Sequence, residues 1–352
     1  MSEKNYDFFA AANGYTGFRS YFDKVFNSEE YERIFVIKGG PGTGKSSFMK
    51  KIAGRYSERG LHVERILCSS DPSSLDGVIV EFSGKKIAML DGTAPHERDA
   101  IIVGAIDEII NLGASLDSRF LKAQKEEIIS INKEKKRAYA TAYNYMNISG
   151  TAVSEKKRLI SSHFDYKNAK NVIKHLAELS IQSPVQAEQV RLISAFGSHG
   201  RTRLSTIEGA SERLYSVVGD YYAASLLLKQ IYAMFKELGN DIILCPSPLD
   251  ADCIEALYLP SQKVGFVMGG DGEVIDAEVL LPTLNKTDGE CMKKTAEIEE
   301  SSLFEAMRWF AIASDFHFRL EEQYIRAMNF QENDKIYEEK ILQIDNIIEF
   351  LG

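Results

Sequence analysis

Cysteine is scarce. Four residues in 352 (Cys68, Cys245, Cys253 and Cys291), none of them at C-x-x-C spacing, argue against a zinc site or a disulfide framework. Positive charge is also short: 42 Lys and Arg face 51 Asp and Glu, and the formal charge of −9 speaks against a dedicated nucleic-acid surface. No apolar run reaches membrane-spanning length, and Met1-Ser2-Glu3-Lys4-Asn5 is too polar to open a signal peptide. A reduced, cytoplasmic globular chain with room for about two domains is the expectation.

Glycine is dense in one place. Gly39-Gly40-Pro41-Gly42-Thr43-Gly44-Lys45-Ser46 fits G-x-x-x-x-G-K-[ST] in every required position. The glycines let the backbone curl so that successive N–H groups face a β-phosphate, Lys45 reaches the β/γ oxygens, and the Ser46 hydroxyl is placed for Mg²⁺. Arg33–Lys38 supplies the buried strand before the loop. Ser47-Phe48-Met49-Lys50-Lys51-Ile52-Ala53 opens the helix after it, with its N-terminus toward the phosphates.

The chain also repeats itself. Glu32-Arg33-Ile34-Phe35 is echoed by Glu212-Arg213-Leu214-Tyr215 at an offset of 180, and Gly39 then matches Gly219. Gly60 and Gly239 close the following helices. Leu67-Cys68-Ser69-Ser70 matches Leu244-Cys245-Pro246-Ser247, and Lys86–Gly92 matches Lys263–Gly269. In the second copy Tyr221-Tyr222-Ala223-Ala224-Ser225-Leu226 stands against Pro41–Ser46, and Met268 against Asp91. On that alignment the lysine, the glycines and the magnesium hydroxyl are gone.

Expected strands are Ile34–Lys38, His62–Cys68, Val78–Phe82 and Lys86–Leu90, then Arg213–Val218, Asp241–Cys245, Ala256–Leu259 and Lys263–Met268. Helical periodicity from Ser115 to Tyr145, a break at Asn147-Ile148-Ser149-Gly150 and resumption over Ser154–Leu179 read as one hairpin. Gly289–Leu351, with a break near Gln331–Asp334, reads as another. The expected fold is α/β: a P-loop NTPase-type, mostly parallel sheet with helices on both faces, duplicated in tandem, each half carrying a helical hairpin. The halves divide at Ser183-Pro184 into 1–184, with its hairpin at about 115–180, and 185–352, with its hairpin at about 289–351.

A phosphate loop needs a carboxylate ending a neighbouring buried strand, and Ile87-Ala88-Met89-Leu90-Asp91 delivers one. Its alternative is a turn aspartate opening Asp91-Gly92-Thr93. His96, Glu97 and Arg98 follow closely, where His96 or Glu97 would orient a water and Arg98 stabilise transferring charge, unless they form a polar surface loop. Asp71, in Cys68-Ser69-Ser70-Asp71-Pro72-Ser73-Ser74-Leu75-Asp76-Gly77, is placed as a substrate base or γ-phosphate sensor; an ordinary Ser/Asp/Pro turn explains the composition equally well. Lys133–Arg137 and Glu155–Arg158 read as solvated helix faces, and Tyr139, Tyr143 and Tyr145 as helix packing.

On Gly39–Ser46, Cys68–Gly77, Asp91-Gly92-Thr93-Ala94-Pro95-His96 and Glu108-Ile109-Ile110-Asn111-Leu112-Gly113, the chain resembles uncharacterised bacterial tandem P-loop ATPases, mostly of anaerobic Gram-positive lineages. The resemblance implies ATP binding and hydrolysis and names no substrate. In that family the second half often keeps a phosphate loop, and this chain departs there. The leading expectation is an Mg²⁺-dependent ATPase. Its catalytic set is Lys45, Asp91, Asp71, His96 and Arg98, its nucleotide contacts run from Gly39 to Ser47, and Ser46 and Asp91 hold the metal. A protein partner would engage the hairpins. A small-molecule or nucleotide kinase and a non-catalytic nucleotide-sensing scaffold are the alternatives. Whether Arg201, Arg203 or Arg213 reaches the first half's nucleotide stays open.

Overall fold

The computed structural model describes residues 6–95, 97–184, 186–282 and 285–352. The first half opens with strands β1 (Tyr6–Phe9), β2 (Ala11–Gly14) and β3 (Gly17–Ser20) and a short helix α1 (Phe22–Val25). Then follow β4 (Arg33–Lys38), α2 (Lys45–Glu58), β5 (His62–Leu67), β6 (Leu75–Phe82), β7 (Lys85–Asp91) and β8 (Asp107–Asn111). Helices α3 (Ser118–Ala123), α4 (Lys125–His163) and α5 (Tyr166–Ile173) complete it.

The second half runs β9 (Glu188–Val190), β10 (Ser194–Gly197), β11 (Gly200–Arg203), α6 (Thr206–Ala210), β12 (Arg213–Val218) and α7 (Tyr221–Glu237). After β13 (Ile242–Pro246), β14 (Ile254–Leu259), β15 (Val264–Met268) and β16 (Glu273–Asp276) come α8 (Lys286–Ala327) and α9 (Phe330–Leu351).

The two six-stranded sheets share one topology. Their orders are β1-β5-β6-β7-β4-β8 and β9-β13-β14-β15-β12-β16. Both are mixed, with five of the six strands in each running the same way and only β6 and β14 running against both neighbours. For β6 the cause is local. Ser83 (φ 48°) and Gly84 (φ 76°) form a two-residue turn that folds β6 straight back onto β7. Each sheet also carries the same irregularity, where Asp76 in β6 and Glu255 in β14 are the extra residue against the neighbouring strand.

Alternation along the strands assigns the layers. Phe35, Ile37, Ile87 and Met89 face α2 on the outer side. Ile34, Val36, Ala88 and Leu90 face inward, into one core shared with Ala256, Tyr258 and Val267 of the other sheet. Phe22 of α1, Phe26 just after it, and Ile207 and Ala210 of α6 fill that central layer. The halves meet along a local two-fold, marked by reciprocal bonds from Phe9 N to Leu192 O (2.8 Å) and from Leu192 N to Phe9 O (2.9 Å).

The expected first hairpin does not form. α4 is one continuous helix of 39 residues through Asn147–Gly150. Gly150 is there for close approach: a Cβ on it would lie 2.5 Å from that of Tyr15. Ser149 donates to Glu299 O (3.3 Å). The expected second hairpin does form, with its corner at Met328-Asn329.

α4 and α8 pair antiparallel, as contacts of Tyr139 with Phe310 and His163 with Asp288 show, and Asp117 ahead of α3 continues the line to Ala327. Tyr139 and Tyr143 pack on Phe310, the helix-packing role expected of them. The basic run on α4 is only partly solvated, since Lys156 pairs with Asp220 (2.9 Å) and Lys157 with Asp250 (2.7 Å) across the halves.

Beyond this seam the chain exchanges its terminal helices. Ile341 and Ile344 of α9 join the first half's outer core with Phe48, Met49 and Ile52. Ala169 and Ile173 of α5 join the second half's, with Leu227, Leu228 and Ile231 of α7. Each half therefore closes the outer core of the other.

Candidate functional site

The Gly39–Gly44 loop leaves β4 at the C-terminal edge of the first sheet, where open α/β sheets bind ligands. Gly42 (φ 68°) and Gly44 (φ 87°) are left-handed, a backbone that other residues adopt only with strain. Gly44 caps α2 without a side-chain acceptor, so the helix presents its first N–H groups unmasked by any side chain. Lys45 Nζ bonds Gly40 O (2.7 Å) and Gly39 O (3.2 Å) and lies 3.5 Å from Asp91 Oδ2. Thr43 Oγ1 donates to Gly40 O (2.8 Å).

Asp91 ends β7, the parallel neighbour of β4, with Ile37 opposite it. Burial pushes its carboxyl above the usual range, and the Lys45 charge and bonds from Thr93 pull the other way. Asp76 adds repulsion. Continuing the β6–β7 register one step sets Asp76 beside Asp91 on the same face of the sheet. Asp76 is buried, and Leu75 N next to it donates to Ser46 Oγ (2.9 Å). Lys45, Ser46, Asp91 and Asp76 thus converge at one end of the loop.

No protein-family model, curated protein or solved structure matches this chain.

Two predicted residues stand apart from that group, and one lies outside the described residues. The Asp71 carboxylate accepts from Ser73 N (3.0 Å), Ser73 Oγ (2.7 Å) and Ser74 Oγ (2.9 Å), so it serves its own turn. Burial opposes its ionisation, but those bonds hold it below the usual range. Arg98 is a correction. Its backbone carbonyl accepts from Lys38 Nζ (2.8 Å), but its side chain turns into the core, to Ser28 Oγ (2.9 Å) and Asp107 (3.7 Å). Asp107 pairs with Ile34 at the opposite end of β4 from the loop, so the guanidinium cannot serve a phosphate there. His96 falls outside the described residues. Glu97 is exposed, and Ser47 lies exposed in the first turn of α2.

The second half shows what replaces the loop. Val218 corresponds to Lys38 by sheet register, and Ser225 Oγ accepts from Ile254 N (2.9 Å) just as Ser46 accepts from Leu75 N. Ser225 is therefore the counterpart of Ser46, and the segment before it is one residue shorter than in the first half. The hydroxyl that the fixed offset had assigned to Leu226 is kept. With no glycine between Gly219 and Gly239, residues from Tyr221 onward are wound into α7. The Asp220 carboxylate caps that helix, accepting from Tyr222 N (2.8 Å) and Ala223 N (3.4 Å), and so holds the donors a phosphate would need. The Tyr221 hydroxyl donates to Glu255 (2.9 Å) and bonds Ser247 Oγ (2.6 Å). Glu255, in the place of Asp76, is 2% exposed and also bonded by Ser194 and Arg201. Arg203 pairs with Glu208 (2.6 Å) and Arg213 with Glu273 (3.1 Å), so all three arginines are engaged within their own half.

Sequence reading missed what lies over the first loop. The α8–α9 corner sits directly on it. A Cβ at Gly40 would strike the Tyr324 ring at 2.7 Å, and one at Gly42 would meet Glu321 O and Ile325 Cγ1 at 2.9 Å. Asn333 Nδ2 donates to Thr43 O (2.9 Å). The Glu321 carboxyl is held below the usual range by His317, 3.5 Å away, against the effect of burial; the Gly42 N–H and Lys45 act in the same direction as His317. No local signal marks Glu321 or Asn333, because only the tertiary exchange of helices brings them to the loop.

Proposed function

We propose that the first half binds ATP with Mg²⁺ and hydrolyses it, and that the second half is a degenerate copy without a nucleotide. One observation carries the reading: an uncapped helix N-terminus behind two left-handed glycines, with Lys45 held against the strand-end carboxylate Asp91. Oxygen donors suit Mg²⁺, which takes one or two carboxylates and leaves its other positions to phosphate and water. Ser46 and Asp91, with Asp76 beside them, are such a set, and among the described residues no cluster of three His, Cys, Asp or Glu offers a complete protein cage. The ion would neutralise charge on the β- and γ-oxygens. Lys45 would leave its carbonyl partners for the phosphate, and the α2 N-terminus would face the anion. The likeness to tandem P-loop ATPases points the same way.

The test is Mg²⁺-dependent ATP binding and turnover in Lys45→Ala, Asp91→Asn and Asp76→Asn. Lys45→Ala should abolish hydrolysis with the circular dichroism spectrum intact, and both Asn variants should weaken the magnesium-dependent part of binding. Turnover unchanged in Lys45→Ala would overturn the ATPase. The helices seated on the loop favour a second reading, a nucleotide-sensing scaffold, which tight ATP binding with negligible hydrolysis would select.

A further inference from the structure

Helix α8 carries two lines of side chains on opposite faces. Ala306, Phe310, Ala313, Leu320 and Ala327 are buried, and Phe310 meets Tyr139 of α4. On the other side Phe304, Arg308, Ala311, Asp315 and Phe318 follow one another at alternating steps of four and three residues, the spacing of a coiled-coil seam, and Glu322 continues the line. A helix packed on one side has polar residues opposite, yet here Phe304 is 55% exposed and Phe318 50%. Apolar rings aligned on an open face call for a cover.

The outer line is complementary to itself when reversed. Phe304 lies seven residues before Ala311 and Phe318 seven after it. Arg308 lies three before and Asp315 four after, and on the flank Glu305 lies six before and Arg319 eight after. In two antiparallel copies of α8 crossing at Ala311, Phe304 therefore meets Phe318 of the second copy, Arg308 meets Asp315, and Glu305 lies beside Arg319, each contact made twice. Glu322 falls opposite Ser301, and the small Ala311 at the axis lets the helices approach closely. Parallel pairing would instead set Arg308 on Arg308 and Asp315 on Asp315, a repulsion that selects the antiparallel register. Within one copy Arg308 pairs with Glu305 (2.8 Å), and Asp315 has no ion-pair partner among the described residues.

We propose that α8 is a dimerisation helix, and that two copies of the chain pair antiparallel through Phe304 and Phe318 with a two-fold axis at Ala311. The proposal does not depend on what the Gly39–Ser46 loop binds. The four rings of the pair supply roughly 400 Å² of apolar surface, about a third of the ~1,200 Å² at the lower end of specific interfaces, with the charged flanks as the rest. The dimer is therefore reversible and dissociates on dilution.

Sedimentation velocity of the full chain over a dilution series tests it, and the wild type should pass from monomer to dimer as concentration rises. Phe318→Ser leaves the α4 face intact and removes two rings per dimer, so it should raise the dimer Kd about 10- to 100-fold. Arg308→Asp alone should also weaken pairing, because it sets like charges together at two places. Combining it with Asp315→Arg restores every opposition of charge and should recover the dimer. Circular dichroism verifies that each variant is folded. A wild type that stays monomeric throughout, a dimer that Phe318→Ser and Arg308→Asp leave unchanged, or a double variant no better than Arg308→Asp would each overturn the proposal.

Discussion

The exchange of terminal helices makes a demand that stability measurements can check. Ile344 of α9 is 1% exposed and lies in one core with Phe48, Met49 and Ile52, although its own half is the second. Ile344→Ala removes three buried carbons, about 2.4 kcal/mol at ~0.8 kcal/mol each. The residual cavity raises the expected loss to about 3 kcal/mol, inside the usual range for such truncations. That is roughly two powers of ten in an opening equilibrium. The loss should fall on the first half: amide exchange in α2 and β4 should speed up by about that factor, and more than in α7. Ile173→Ala in α5, also buried, should show the mirror image, with α7 losing protection before α2. Hydrogen exchange read segment by segment, with urea unfolding as the global reference, measures both. If α2 kept wild-type protection in Ile344→Ala, the placement of α9 on the first half would be refuted.

Two further outcomes are expected. Ser225→Ala leaves the Ile254 N–H without its acceptor and should cost about 1–3 kcal/mol in thermal unfolding without changing ATP affinity, whereas Ser46→Ala should lower Mg·ATP affinity as well. Asp345 ties α9 to α2 through Arg55 (2.7 Å), Tyr56 (2.9 Å) and Arg59, and although burial opposes ionisation these bonds hold its folded pKa below the unfolded one. Its contribution is therefore present above the unfolded carboxylate pKa and is lost as pH falls through the folded value. Between about pH 5 and pH 3 the wild type should lose urea resistance more steeply than Asp345→Asn.

The elements that sequence reads well here are those set by local pattern. The strand before the loop, the loop glycines and the strand-end place of Asp91 follow from alternation and spacing, and the internal repeat implies matching sheets. The failures are failures of distance. Asn147–Gly150 looks like a turn because glycine and asparagine usually break helices, yet Gly150 is small to admit Tyr15, far away in sequence. A fixed offset of 180 put Leu226 against Ser46 because one residue is missing from the second loop, and only the shared bond to a strand N–H restores the true pair, Ser225. Arg98 is near Asp91 along the chain, but its side chain answers to the buried Asp107. Asp76 could have been suspected from its place beside the serine-rich turn. Glu321 could not, since nothing local says that the second half's arm folds over the first.

The same exchange sets an order on synthesis. Helix α2 leaves the ribosome long before α9 is made, so the side chains that await Ile341 and Ile344, Phe48 and Ile52 among them, lack part of their cover while most of the chain is still being added. The first half is made before the second and is completed only when α9 arrives. During that interval it presents apolar surface that a chaperone or a neighbouring nascent chain can bind, and α9, once made, closes that surface and bonds the Gly39–Gly44 loop.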